Sequence, residues 1–350
     1  MNSIFNKSIL IFLFLFASVL SACAQSDRQS ASLSDLGTIK AGYIPTSGYS
    51  PLYLGIEKGY FEEKGLKVEL ERFDSGSKMI APLSAGQLDV GAGEPGTALF
   101  NSRHQGLDVM VVCGMSSQAP GYGGVPIIVR KDLYDSGELD EIAELKGRKV
   151  ALNILHGMGE YIVAKAMEKA GMTIDDVELV TIAFPDTPAA LANRAVDAAT
   201  VPQLIAEKAI EDGIAVELIR GDQIAGEIQS TVMYFGKRFL DPANREVTLR
   251  FLEVWLKGLR ELYDEEWSNP ENLAIISKYT NLPPETIKNS APKQSYYNPN
   301  CDYNSESLED IQNYYLSRGY TEYTEALPLS QIVDDSFRKE VLDRIGVYQK

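Results

Sequence analysis

Leu66-Lys67-Val68-Glu69-Leu70-Glu71-Arg72-Phe73 alternates apolar and polar side chains, as a strand with one solvated face does. Its neighbours decide the fold. Ahead of it, residues 39–44 form a short apolar strand, and residues 50–61 carry apolar side chains at helical spacing, followed by a turn glycine, Gly65. After it, residues 78–85 and 97–104 read as helices, and residues 88–92 and 109–113 as strands. Strands alternating with helices predict a mostly parallel sheet covered by helices. The pattern then recurs. Strands are expected at 125–129, 149–153, 177–183 and 196–201, with helices at 159–170, 189–193 and 203–210. Leu83-Ser84-Ala85-Gly86-Gln87-Leu88-Asp89-Val90 echoes Leu191-Ala192-Asn193-Arg194-Ala195-Val196-Asp197-Ala198. Each is a helix end, a turn and a strand that opens on Asp, which favours two α/β lobes built alike. From Asp241-Pro242, an N-cap with a first-turn proline, the texture turns helical: 247–262, helices opening at Asn269-Pro270 and Leu282-Pro283-Pro284-Glu285, then 307–316 and 336–345. This tail is expected to pack back on the first lobe.

The chain has 350 residues, room for about two domains. With 45% hydrophobic and 23% charged residues, wholesale disorder, collagen and a many-span membrane protein are excluded. Lys and Arg total 33 against 49 Asp and Glu, a net charge of -16, which repels phosphate backbones and argues against nucleic acid as a partner. Two His and three Cys are too few for a His-rich metal site or a disulfide framework. No metal and no cofactor are expected.

Lys7 is the only charged residue before Asp27, and residues 8–20 are almost wholly apolar. That run falls short of the roughly 20 residues a bilayer span needs and reads as an export signal. Leu20-Ser21-Ala22-Cys23 resembles a bacterial lipobox, which implies cleavage after residue 22 and acylation of Cys23 by palmitate-type chains. Residues 23–36, polar and Ser-rich, suit a lipid-anchored flexible tether. The expected address is extracytoplasmic, held at the cell membrane by lipid alone. Cys113 sits in an apolar strand and Cys301 in a polar loop; an oxidising compartment permits a disulfide between them, but their settings do not favour one.

Gly91-Ala92-Gly93-Glu94-Pro95-Gly96 fits G-x-G-x-x-G, yet Glu94 would put a carboxylate where a pyrophosphate should sit, and the segment follows the third strand. It reads instead as a strand-to-helix turn that lets a small ligand approach. No catalytic set is present: G-x-S-x-G, H-E-x-x-H and C-x-x-C are all missing from the sequence. An enzyme is not expected. Six strand-to-helix loops carry ligand-friendly residues, and in open α/β sheets such loops line the crevice. They offer Thr46, Ser47, Tyr49 and Ser50; Ser75 and Ser77; Glu94 and Thr97; His156 and Met158; Phe184 and Pro185; and Gln203. Tyr43, Tyr49, Tyr122, Phe184 and Tyr234 are candidate aromatic walls. Few Arg fall in these loops, and Glu94 can accept a hydrogen bond from an amine or ring N–H.

Residues 50–70, Ser-Pro-Leu-Tyr-Leu-Gly-Ile-Glu-Lys-Gly-Tyr-Phe-Glu-Glu-Lys-Gly-Leu-Lys-Val-Glu-Leu, resemble the opening of the extracytoplasmic solute-binding proteins of ABC importers. The nearest type is that for nitrate, sulfonates, taurine and the thiamine-pyrimidine precursor. Ser84-Ala85-Gly86-Gln87-Leu88-Asp89-Val90-Gly91, Leu145-Lys146-Gly147-Arg148-Lys149-Val150 and Ala195-Val196-Asp197 fit the same pattern. The resemblance implies the type II periplasmic-binding-protein fold: two α/β lobes, 37–122 with 232–350 and 123–231, a ligand cleft between them, and crossovers near 121–124 and 226–231. It implies a monomer that captures a small organic solute, aromatic or heterocyclic, and hands it to ABC permease and ATPase subunits. The alternatives are a binder of sulfonate, nitrate or taurine-type anions, and a ligand-sensing lipoprotein uncoupled from transport. A relative that makes the thiamine pyrimidine is an enzyme, but its Cys-rich iron-binding residues have no counterpart here.

Overall fold

Two five-stranded sheets organise the chain in a computed structural model that describes residues 37–265 and 267–349. The expected signal peptide at 1–22, Cys23 and the expected tether up to residue 36 lie outside the described residues. The first sheet grows from β1 (Thr38–Tyr43), α1 (Ser50–Glu57), β2 (Lys67–Arg72), α2 (Ser77–Ser84), β3 (Val90–Gly93), α3 (Thr97–His104) and β4 (Val109–Gln118). The second takes β5 (Ile127–Arg130), β6 (Lys149–Leu152), α4 (Met158–Lys169), β7 (Glu178–Thr181), α5 (Thr187–Ala192), β8 (Ala198–Thr200), α6 (Gln203–Glu211) and β9 (Ala215–Ile219). Strand β10 (Ile228–Gly236) returns to the first sheet, and α7 (Arg245–Asp264), α8 (Pro270–Thr280), α9 (Pro284–Gln294), α10 (Ser305–Ser317) and α11 (Ser336–Ile345) follow.

The strand orders are β2-β1-β3-β10-β4 and β7-β6-β8-β5-β9, the same arrangement twice. The sequence echo sits at equivalent places. Asp89 Oδ2 accepts from the Lys40 N–H at 2.8 Å, and Asp197 Oδ2 from the Lys149 N–H at 3.0 Å. Each carboxylate also pairs with an arginine at 3.2 Å, Arg238 and Arg130 respectively. In both sheets, therefore, the aspartate that opens the third strand clips the neighbouring strand's start and neutralises itself on a cation. Neither sheet is wholly parallel: β10 runs antiparallel to β3 and β4, and β5 antiparallel to β8 and β9. Chain that leaves one sheet for the other and comes back enters each new neighbour from the opposite end.

The two connections, 119–126 and 220–227, run side by side. The Gly221 N–H donates to Gly123 O at 2.9 Å, and the Gly121 N–H to Asp222 Oδ2 at 2.9 Å. A Cβ on Gly221 would sit 2.3 Å from both Gly123 O and Gln118 Oε1, so only glycine lets the strands touch.

The helix expected over 50–61 breaks at Gly59, whose φ of +73° takes the left-handed region. Asn269 caps α8 through its side chain on the Glu271 and Asn272 N–H groups. Helices α10 and α11 pack on β10 and β4 of the first sheet, while α9 and α10 reach helices of the second. Ile311 and Tyr315 of α10 share one apolar core with Ile162 and Met167 of α4. Tyr161 OH donates to Asp310 at 2.5 Å, and Arg318 pairs with Asp175 at 2.6 Å. Cys301, expected in a polar loop, is fully buried. Among the described residues no helix is long and apolar enough to cross a membrane, and no cluster of His, Cys, Asp or Glu could hold a metal.

Candidate ligand-binding cleft

The carboxyl ends of the central strands of both sheets face a cavity of about 230 Å³. Loop positions fall there because in each sheet the chain turns from strand into helix on that side. From the first sheet come Thr46, Ser47 and Tyr49 after β1, Ser75 after β2 and Glu94 after β3. From the second come Met158 at the head of α4, Phe184 after β7 and Gln203 at the head of α6.

The remaining candidates lie elsewhere. Tyr43 sets its ring edge-on to Tyr49 and Tyr53, with centroids at 6.5 and 6.0 Å. Ser50 is buried and donates to Ser47 O at 2.7 Å, while Ser77 pairs with the Ser75 hydroxyl at 3.0 Å. Thr97 donates to the His156 carbonyl at 3.2 Å. His156 takes a left-handed backbone, φ +59°, which turns its ring out onto Tyr320, with centroids 3.8 Å apart. Pro185 is exposed. Tyr122 stands behind the cleft wall, where it packs on Tyr296 and lines a neighbouring cavity with Trp267 and Tyr263. Tyr234 is core, and its hydroxyl donates to the Glu94 carbonyl.

Glu94 joins the two halves. Its Oε2 accepts from the Met158 N–H at 3.2 Å, in the first turn of α4, so a carboxylate from the first sheet caps a helix of the second. Burial pushes this carboxyl up from its usual range, and the Met158 hydrogen bond opposes the shift only in part. Gly157 leaves room for it, since a Cβ there would come 2.8 Å from Glu94 Oε1. Gly93 lies back to back with Gly76, where a Cβ would come 2.5 Å from the Gly76 Cα. That close approach is what the glycines of the G-x-G-x-x-G stretch serve. Ser47 donates to Gln294 Oε1 at 3.0 Å, and the Tyr297 phenol is pushed up to about 12 by burial. Among the described lining residues Asp74 and Glu94 are the only charged ones; none is Lys, Arg or His. Thr200 Oγ1 and Gln203 Oε1 are buried without a hydrogen-bond partner in the protein.

Sequence reasoning missed Ser116 on β4 and Thr231 on β10, whose hydroxyls meet at 2.7 Å where the chain crosses. It also missed Thr200, Gln294, Ser295 and Tyr297. The last three close and follow helix α9, and only the polar and aromatic run Gln294-Ser295-Tyr296-Tyr297 could have marked them.

The family model described as NMT1/THI5 like matches residues 46–267. A Brucella abortus protein named as a binding protein is 25% identical over 268 residues, 75% of this chain and 77% of that one. The Bacillus subtilis binding protein YtlA is 23% identical and spans 93% of both chains. The 4-amino-5-hydroxymethyl-2-methylpyrimidine phosphate synthase of Aspergillus parasiticus is 22% identical over 78% of both chains. Among solved structures, the periplasmic aliphatic sulphonate binding protein SsuA from Escherichia coli superposes with a TM-score of 0.69 at 16% identity, covering 86% of this chain and 99% of that one. The periplasmic nitrate-binding protein NrtA from Synechocystis does so with a TM-score of 0.71 at 15% identity, covering 89% of each. The architecture is thus that of the periplasmic binding proteins.

Proposed function

The chain belongs to the NMT1/THI5-like family, and from that premise we propose that it is the solute-binding component of an ABC importer. It is exported, anchored through lipid on Cys23, and closes lobes 37–122 with 232–350 and 123–231 around a small organic solute that it leaves chemically unchanged. The permease and ATPase subunits are its partners. The observation that carries this reading is the cleft itself: a cavity between two sheets built alike, with no nucleophile–base pair among its lining residues.

The solute is a flat, uncharged or cationic molecule with N–H donors. Glu94 and Gln203 Oε1 are acceptors, Thr200 offers a hydroxyl, and Tyr49, Phe184 and Tyr297 supply apolar and aromatic wall. A sulfonate or nitrate would meet Glu94 and Asp74 with no cation among the described lining residues to balance them, and Glu94 already takes the helix N-terminus such an anion would use.

Native mass spectrometry of protein purified from its own cells tests the reading by identifying the co-purified solute. A donor-bearing heterocycle supports it. Tighter binding of taurine or nitrate, or conversion of the solute to a product, overturns it. The Cys23→Ala protein should lose its lipid and move to the soluble exported fraction; unchanged membrane attachment would refute the anchor.

A further inference from the structure

Cys113 and Cys301 lie 188 positions apart yet meet in the core, with both side chains fully buried. Their backbones are locked together. The Gly114 N–H donates to Cys301 O at 3.0 Å, and Gly114 is pressed so close to residue 302 that a Cβ there would sit 2.3 Å from Asp302 O. Cys301 takes a left-handed backbone, φ +54°, a conformation non-glycine residues seldom hold. The Cys113 thiol is pushed up, first by its hydrogen bond with the Cys301 side chain and then by burial. The two thiols therefore lie within hydrogen-bonding reach of each other.

We propose that Cys113 and Cys301 become a disulfide when the chain folds under oxidising conditions, stapling the segment after α9 to β4. In the reaction both thiols give up their protons and together two electrons, and one S–S bond forms. The oxidant is a disulfide, from a thiol–disulfide oxidoreductase or glutathione disulfide; its own S–S bond breaks and it leaves as two thiols. Exchange has to precede burial, because a folded, protonated, inaccessible thiol does not attack. The staple lies four residues beyond Tyr297, so it fixes the wall that brings Gln294, Ser295 and Tyr297 to the cleft. Its oxidant in the cell rests on the export reading; its geometry does not.

The test refolds full-length Cys23→Ala chain, which leaves only these two cysteines, from denaturant in a glutathione and glutathione-disulfide mixture. Unreduced tryptic peptides should contain a Cys113–Cys301 cross-linked pair. The melting temperature should fall by about 5 °C on reduction, and the further Cys301→Ala variant should show no such fall. Two thiols that both alkylate under denaturing conditions, in protein refolded to its native circular dichroism spectrum, overturn the proposal. Fractionation decides the address separately: cross-linked refolded protein alongside reduced protein in the cytoplasmic fraction would sink the export reading, not the pair.

Discussion

If the proposed solute sits in the cleft, Glu94 and Thr200 are the residues that test it most directly. A buried carboxyl whose folded pKa is raised binds its proton more tightly folded than unfolded. Its contribution to stability is fully present below the unfolded pKa, near 4.3, and is lost as pH rises through the folded pKa. Glu94→Gln keeps an acceptor for the Met158 N–H and removes that penalty. The variant should melt higher than the parent at neutral pH, with the gain vanishing as pH falls toward 4, while solute affinity drops by more than about tenfold. Paired melting curves from pH 4 to 8 and calorimetric titration with the co-purified solute measure both; equal affinities would remove Glu94 from the site. Thr200→Val keeps the shape of a side chain whose hydroxyl finds no protein partner. Its stability should stay within about 0.5 kcal/mol of the parent, since no internal hydrogen bond is lost, and its affinity should fall by roughly tenfold. A stability loss without an affinity loss would make Thr200 plain core.

At the scale of elements, legibility followed local pattern in the sequence. Helix α3 was read from its sequence at its observed limits because its ends carry turn residues, Pro95-Gly96 and Gln105-Gly106. Strand β10 was not read at all. It is buried on both faces, so Ile228-Gln229-Ser230-Thr231-Val232-Met233-Tyr234-Phe235-Gly236 shows no alternation, and its polar start looked like hinge. The part of the candidate cleft that strand-to-helix loops line was legible because those loops are marked by Gly, Pro and Ser. Residues such as Ser116 and Tyr297 reach the cleft only through long-range packing, which a local pattern does not encode. Helices α1, α7 and α8 meet at one polar node, also invisible in sequence. Glu261 accepts from Lys58, from Tyr60 OH at 2.6 Å and from Asn272 Nδ2 at 3.0 Å. Burial raises this carboxyl's pKa, but the Lys58, Tyr60 and Asn272 hydrogen bonds together hold it below its usual range. The stability it contributes is present above the unfolded pKa and lost as pH falls through the folded one. Lys58→Met should cost about 2 kcal/mol at pH 7 in urea denaturation, and the parent should lose more stability than the variant between pH 5 and 3. Parallel acid losses would mean the node is solvated and idle.

For the whole molecule, the proposed clamp would have to open, and the C-terminal helices constrain how. Helix α10 shares core with α4 and also packs on β10 of the first sheet. The outer contacts of α10 and the turn after it with the second sheet's elements are polar or stacked: Tyr314 OH to Glu160 at 3.2 Å, Arg318 to Asp175, and Tyr320 against the His156 ring. Opening the cleft would break the Glu94–Met158 hydrogen bond, because its partners follow strands of different sheets. It must also either break the α10 contacts or pivot about them. The Arg318–Asp175 pair has a solvent-exposed carboxylate and is screened, so it holds the seam only weakly, and the stacked rings add little more. Together they bias an open–closed equilibrium without deciding whether the chain folds, and a solute gains affinity only by the share of molecules already closed. If the contacts break on opening, the double variant Arg318→Ala, Tyr320→Ala should keep its melting temperature within a few degrees. Its solute-free form should show a larger radius of gyration by small-angle scattering, and the solute should leave roughly tenfold faster in stopped flow. Solute should return the variant to the parent's bound dimensions. If free dimensions and release rates both match the parent, α10 moves as one body with α4 and the hinge runs along it, which would place the pivot at the 119–126 and 220–227 connections and the α10–α4 seam together.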